Sequence, residues 1–162
     1  MNELIPTDRL ERLKERIEGC PHPRELIVDA LRLVQEHRGW VPDEGVELVA
    51  QLLGLSALQV EEVATFYDKI FRRPVGRRVI HFCDSICCWS RGGEAVAAHL
   101  EQRLGIAPGE TTLDGLFTLL PTCCLGACGQ APAMMVGTRI YGDLTAQRID
   151  EILERERGEA NP

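Results

Sequence analysis

The run "HFCDSICCWS", residues 81–90, closes an apolar stretch with three cysteines in six positions, and "PTCCLGACGQAP", residues 121–132, does the same with three more. Each run ends a strand-like segment, Val79–Phe82 in the first case and "LFTLLP", residues 116–121, in the second. A helical pattern from Gly93 to Leu104, closed by Gly105, lies between them. Strand, helix, strand reads as part of a compact α/β layer, and loops at the carboxyl ends of neighbouring parallel strands meet in space. The two thiol loops are therefore expected to face one another despite their separation in sequence.

Downstream, "APAMMVGTRIYGDL" reads as a hairpin turning at Gly137-Thr138. Thr145 is placed to cap a last helix carrying Ile149, Ile152 and Leu153, and a polar, frayed tail is expected from Arg155 to Pro162. Upstream, apolar residues recur at helical spacing: Leu10, Leu13 and Ile17; then Leu26, Ile27, Ala30, Leu33 and Val34 up to Gly39. A third helix starts near Pro42 with Val46, Val49, Ala50 and Leu53 inside and stops at Gly54. Ser56 with Gln59 makes a capping box for a fourth, with Val60, Val63, Ala64 and Phe66 or Tyr67 on its buried side. The character changes at "FRRPVGRR", residues 71–78, where Pro74 and Gly76 break the helical pattern. The expected class is α+β: a helical bundle over residues 1–76, then an α/β layer over residues 77–162.

Size and charge narrow the function. The chain has 162 residues, 44% of them apolar, enough for one fair core or two small ones. A net charge of −7 argues against nucleic acid, whose binding needs clustered cations. The basic run Arg72, Arg73, Arg77 and Arg78 is accordingly read as a solvated face. No stretch reaches the roughly 20 apolar residues of a membrane span, and the charged amphipathic N-terminus does not read as a signal peptide. These features predict a soluble, non-exported protein without direct membrane insertion. In a reducing compartment seven cysteines, an odd number, point to metal or redox chemistry rather than a disulfide framework.

The pairings open to that chemistry are Cys83 with Cys87 or Cys88, and Cys128 with Cys123 or Cys124. No C-x-x-C occurs, which weakens both dithiol exchange and the commonest zinc knuckle. Four thiolates from two distant loops suit a [2Fe–2S] cluster, in which each iron takes two. Zinc, or a set of buried or disulfide-forming thiols, stays open on spacing alone. A Rieske centre is excluded because the C-x-H at Cys20 to His22 has no companion pair. His81 and His99 read as structural, and Cys20 as a small buried apolar residue.

The segments "EEVATFYDKIF", "HFCDSICC" and "FTLLPTCCLGACGQAPAMMV" resemble the NuoE-type, or 24 kDa-type, subunit family of NADH:quinone oxidoreductase (respiratory complex I), over residues 15–155. That resemblance implies a thioredoxin-like second domain that holds one [2Fe–2S] cluster, and an electron-transfer role close to the flavin of an NADH-oxidising partner. It places the ligands at Cys83, Cys88, Cys124 and Cys128, with Cys87 and Cys123 as non-ligands beside them. Ala131-Pro132 gives a turn signal where thioredoxin-like folds often hold a cis-proline, its own state staying open, and Gly126 and Gly129 read either as tight-turn residues or as places where backbone approaches sulfide. FMN and NADH are expected only on the partner, a NuoF-type flavoprotein, since the chain has no G-x-G-x-x-G and "RGGEAV" lacks a phosphate cradle. The chain is thus expected to be an enzyme subunit without a complete active site or catalytic residue of its own. Its expected place is among other peripheral-arm subunits at the cytoplasmic face of the inner membrane. The alternatives are the equivalent diaphorase subunit of an NAD-linked hydrogenase or formate dehydrogenase, and a zinc-stabilised thioredoxin-like scaffold.

Overall fold

The computed structural model describes residues 4–160. The chain divides into two compact units, Met1–Pro74 and Val75–Pro162.

The first unit is helical: α1 Thr7–Glu18, a 3-10 turn at Pro23–Leu26, α2 Ile27–Arg38, α3 Asp43–Leu53 and α4 Ala57–Phe66. The stops are chemical. Gly39 and Gly54 take the left-handed conformation after α2 and α3, which a side chain would oppose. The N-terminus of α4 is held by the Ser56–Gln59 capping box. Leu13, Ile27, Leu31, Val34, Val49 and Val60 are buried in one core, and Cys20 packs against it. Fully burying one such aliphatic side chain contributes about 1.5–3 kcal/mol.

Two expectations fail here. Phe66 and Tyr67 are 80% and 45% exposed, stacked edge-to-face on each other. The buried stripe of α4 ends at Ala64, because α4 closes at Phe66 and Tyr67 already has extended backbone. Nor is Arg72 part of a solvated face: its guanidinium donates to Glu61 at 2.9 Å, to Asp43 at 2.7 Å and to the Val41 carbonyl.

The second unit has β1 Arg78–Cys83, α5 Ile86–Trp89, α6 Gly93–Leu104, β2 Phe117–Thr122, a 3-10 turn at Cys128–Gln130, β3 Met134–Val136, β4 Arg139–Tyr141 and α7 Ala146–Ala160. The sheet order is β2-β1-β3-β4. β1 runs parallel to β2, and β3 is antiparallel to both β1 and β4. Ile80, Phe117, Leu119 and Met134 from the sheet meet Leu100 of α6 and Ile149 and Leu153 of α7 in a second core. Thr145 caps α7 by accepting from the Arg148 N–H at 3.2 Å.

The expected frayed tail is instead helix through Ala160, with residues 161 and 162 outside the described range. Glu156 explains the extension: only 3% exposed, it accepts from the Tyr141 hydroxyl at 2.9 Å and faces Arg78 at 3.4 Å. Arg155 stacks on the Tyr141 ring. Arg78, like Arg72, is therefore engaged rather than solvated. Among the described residues no helix is long and apolar enough to cross a membrane.

Candidate metal centre

Both cysteine loops leave the sheet at the same end, because β1 and β2 are parallel and in register with Cys83 opposite Thr122. The Asp84 N–H donates to the Thr122 carbonyl at 3.1 Å, and the Cys83 N–H donates to the Ala133 carbonyl at 3.1 Å. The first loop is thus tied to the chain on both sides before it turns. α5 then sets Cys87 and Cys88 on successive helical positions, roughly 100° apart. Gly93 lets α6 start tight against this turn: a Cβ there would stand 2.8 Å from the Cys88 carbonyl oxygen.

The second loop is built around Gly126, whose φ of +77° suits glycine and whose N–H donates to the Cys124 Sγ at 3.3 Å. Cys128 opens the following 3-10 turn, and its sulfur lies 3.3 Å from that of Cys124 as a free thiol. Ala131-Pro132, immediately beyond, is cis.

The four cysteines the resemblance singled out stand in the structure as two pairs. Cys83 and Cys88 pack in one buried cluster, and the free thiols of Cys124 and Cys128 lie within hydrogen-bond distance of each other at 3.3 Å. Cys83 and Cys88 are only 5% and 2% exposed, set among Ala131, Ala133, Leu125 and Ala127, whereas Cys124 and Cys128 are open to solvent. Cys87 is also exposed. Sequence reasoning missed the Gly126 N–H donated to the Cys124 sulfur and the packing of Ala131 and Ala133 around the first pair. Neither has a one-residue signal, although the turn at Ala131-Pro132 marked the stretch that supplies the second.

The surroundings set the proton affinities. Burial pushes the Cys88 thiol up, its bond with Cys83 adds to this, and the Ala133 N–H pulls it partly back. The Gly126 N–H, then Cys128, draws Cys124 below the usual thiol range. Cys128 is pushed up to about 11 by Cys124 and then Cys87. A thiolate at Cys124 is therefore easier to form than one at Cys88 or Cys128, and metal capture by those two thiols must release protons.

This donor set fits a [2Fe–2S] cluster. The thiols stand as two pairs, one buried and one exposed, which is two thiolates for each of two irons. The Gly126 N–H already points at the Cys124 sulfur, the kind of support that orients ligands and tunes a metal. The neighbouring cleft, lined by Phe82, Cys83, Asp84, Trp89, Gly93, Glu94 and Ala97, holds about 220 Å³. That is below the ~300–1,000 Å³ of most small-molecule sites. A wider open groove of about 450 Å³ on the helical unit, between α2 and α4, is lined by Val63, Phe66 and Tyr67 and contains no thiol or imidazole. His81 is buried in β1, and His99 pairs with Asp150 at 2.9 Å, so neither belongs to the thiol set.

The family model for the thioredoxin-like [2Fe-2S] ferredoxin matches residues 13–157. The E subunit of NADH-quinone oxidoreductase from Escherichia coli (strain K12) is 48% identical over 153 residues, 94% of this chain and 92% of the relative. The protein of the same name from Pseudomonas aeruginosa (strain PAO1) is 45% identical over 160 residues, 94% and 96% of the two chains. Among solved structures, NAD+-reducing [NiFe]-hydrogenase in the air-oxidized state superposes with a TM-score of 0.71 at 27% identity. That match takes in 83% of this chain but 23% of the hydrogenase chain.

Proposed function

This chain belongs to the thioredoxin-like [2Fe–2S] ferredoxin family, and on that premise we propose that it is the electron-transfer subunit of an NADH:quinone oxidoreductase. It holds one [2Fe–2S] cluster through Cys83, Cys88, Cys124 and Cys128. The observation that supports this best is the meeting of two thiol pairs beyond the carboxyl ends of two parallel strands. The bound cluster supplies one-electron transfer at low potential.

The chain's own residues bind and orient. Cys83 and Cys88 fix one side of the site from within an apolar shell that keeps water away. Cys124 and Cys128 present the other side to solvent, with the Gly126 N–H holding the Cys124 sulfur. Hydride chemistry belongs elsewhere, on a NuoF-type flavoprotein subunit that binds FMN and NADH, so this chain has no complete active site of its own. The assembly places it in a peripheral arm at the cytoplasmic face of the inner membrane.

The diaphorase of an NAD-linked hydrogenase is the second reading, favoured by the superposition on the NAD+-reducing enzyme. The near full-length correspondence with the two NADH-quinone oxidoreductase relatives favours the first.

The test is to co-purify the chain with its flavoprotein partner and add NADH anaerobically in a stopped-flow spectrometer. Bleaching of the cluster band only when the partner is present is the expected result. Bleaching by NADH without any partner, or none with it, would overturn the assignment.

A further inference from the structure

The exposed thiol pair lies on a loop whose exit is clamped by a distant corner of the chain, residues 142–144, between β4 and α7. The Asp143 N–H donates to the Gln130 carbonyl at 2.6 Å, and the Leu144 N–H donates to the Pro132 carbonyl at 3.1 Å. Gln130 closes the 3-10 turn that Cys128 opens. The approach leaves no room for a side chain: a Cβ on Gly142 would stand 2.7 Å from the Gln130 carbonyl oxygen and overlap the Gln130 Cβ. Asp143, exposed, holds a φ of +47°, a left-handed conformation that aspartate tolerates better than most residues and glycine best of all. The corner is itself anchored, since Leu144 is buried in the second core and Thr145 caps α7. Resting on the cluster reading above, we propose that Gly142 and Asp143 are positioning residues for the cluster, fixing Cys128 and the exit of the second loop with respect to the buried pair.

The link to the buried pair runs through the intervening backbone. Ala131 and Ala133 pack in one cluster with Cys83 and Cys88, and the Ala133 carbonyl accepts the Cys83 N–H at 3.1 Å. The stretch 130–133 is therefore held from two sides, by Cys83 on the first loop and by residues 143 and 144 on the corner. The turn between Cys124 and Cys128 is exposed, so the fold determines its place at its ends. At the entry this is the Asp84 N–H on the Thr122 carbonyl, and at the exit it is the corner. A [2Fe–2S] cluster needs its four thiolates at bonding distance together, so a displaced exit acts first on the iron site and only second on the fold.

The experiment compares the cluster-loaded wild type with Gly142→Ala and with a control of similar steric severity, Gly76→Ala. A Cβ on Gly76 would stand 2.8 Å from the Leu116 carbonyl oxygen, at the end of β1 and β2 opposite the thiol loops. Iron release to a chelator and the EPR g-values of the reduced cluster are measured on each, with denaturant midpoints of the metal-free chains. Both variants should lose stability, while Gly142→Ala alone should release iron roughly tenfold faster than wild type and shift the g-values. Release no faster than that of Gly76→Ala, or g-values identical to wild type, would overturn the proposal. If Gly142→Ala does not fold, Asp143→Gly and Asp143→Ala decide, because both delete the same exposed carboxylate and keep the N–H, but only alanine opposes the left-handed φ. Asp143→Ala should release iron about threefold faster than Asp143→Gly, and equal rates would overturn the role of the corner. A wild-type chain without any cluster would instead refute the underlying reading.

Discussion

The two cysteine loops are similar in sequence and opposite in setting. In the first, Cys83 ends a fully hydrogen-bonded strand, Cys88 sits in a helical turn locked against Gly93, and both sulfurs are buried. In the second, Cys124 and Cys128 lie on a turn opened by a left-handed glycine, and both are exposed. A ligand pair in the core belongs to the fold, whereas a pair on an exposed turn belongs mainly to the metal. One side of the centre is therefore fixed by packing, and the other is free to be tuned, contacted or lost.

The largest expected effect breaks the comparison at the sulfurs. Single Cys→Ser changes at residues 83, 88, 124 and 128 should each remove or severely weaken the cluster by iron content, while Cys20→Ser keeps it. Only Cys83→Ser and Cys88→Ser should also destabilise the metal-free chain, by about 1–3 kcal/mol, because they bury a hydroxyl in an apolar shell. Urea unfolding of the four metal-free variants checks this. Equal losses for Cys88→Ser and Cys124→Ser would remove the distinction between the loops.

Next come the glycines. Gly93→Ala drives a Cβ into the Cys88 carbonyl oxygen at 2.8 Å, backbone that cannot swing away, and should cost about 1–3 kcal/mol and part of the cluster occupancy. Gly126→Ala meets open space and suffers only its φ of +77°, about 1 kcal/mol. Gly129→Ala should stay within about 0.5 kcal/mol. Denaturant midpoints and iron content rank the three.

The smallest effect lies behind the first loop, where α6 meets α7. His99, with Arg103 assisting, holds the Asp150 carboxyl below its ordinary value near 3.8. A depressed carboxylate contributes stability that is complete above its unfolded value and lost as pH falls through the folded one. Asp150→Asn should therefore melt slightly below wild type at neutral pH, with the gap closing below about pH 4 as the wild-type carboxyl protonates and loses the charge interaction that asparagine never had. Thermal melts across that range are the check, and a gap that widens in acid would reverse the sign.

The reading of Gly93–Leu104 as a helix, the turn at Gly137-Thr138 and the Ser56 capping box all came from local chemistry, and local chemistry is what holds them in the structure. The meeting of the thiol loops was also legible, since strand, helix, strand leaves parallel neighbours little choice. What was hidden depends on long-range pairing. Arg155–Ala160 looks like a polar tail until Glu156 is seen against Tyr141 and Arg78. Phe66 looks like core by spacing, yet it is the last residue of its helix and faces outward. Within the site, spacing alone left Cys87 and Cys88 equal as partners of Cys83. The structure buries Cys88 in one cluster with Cys83 and leaves Cys87 exposed.

The central claim is that these thiols hold two irons rather than one structural ion, and its most direct test is the anaerobically purified chain itself. Iron, acid-labile sulfide and zinc should be measured with the visible spectrum before and after dithionite. The account predicts two irons and two sulfides per chain and absorption that bleaches on reduction. A colourless chain carrying one zinc per molecule, unchanged by dithionite, would contradict it.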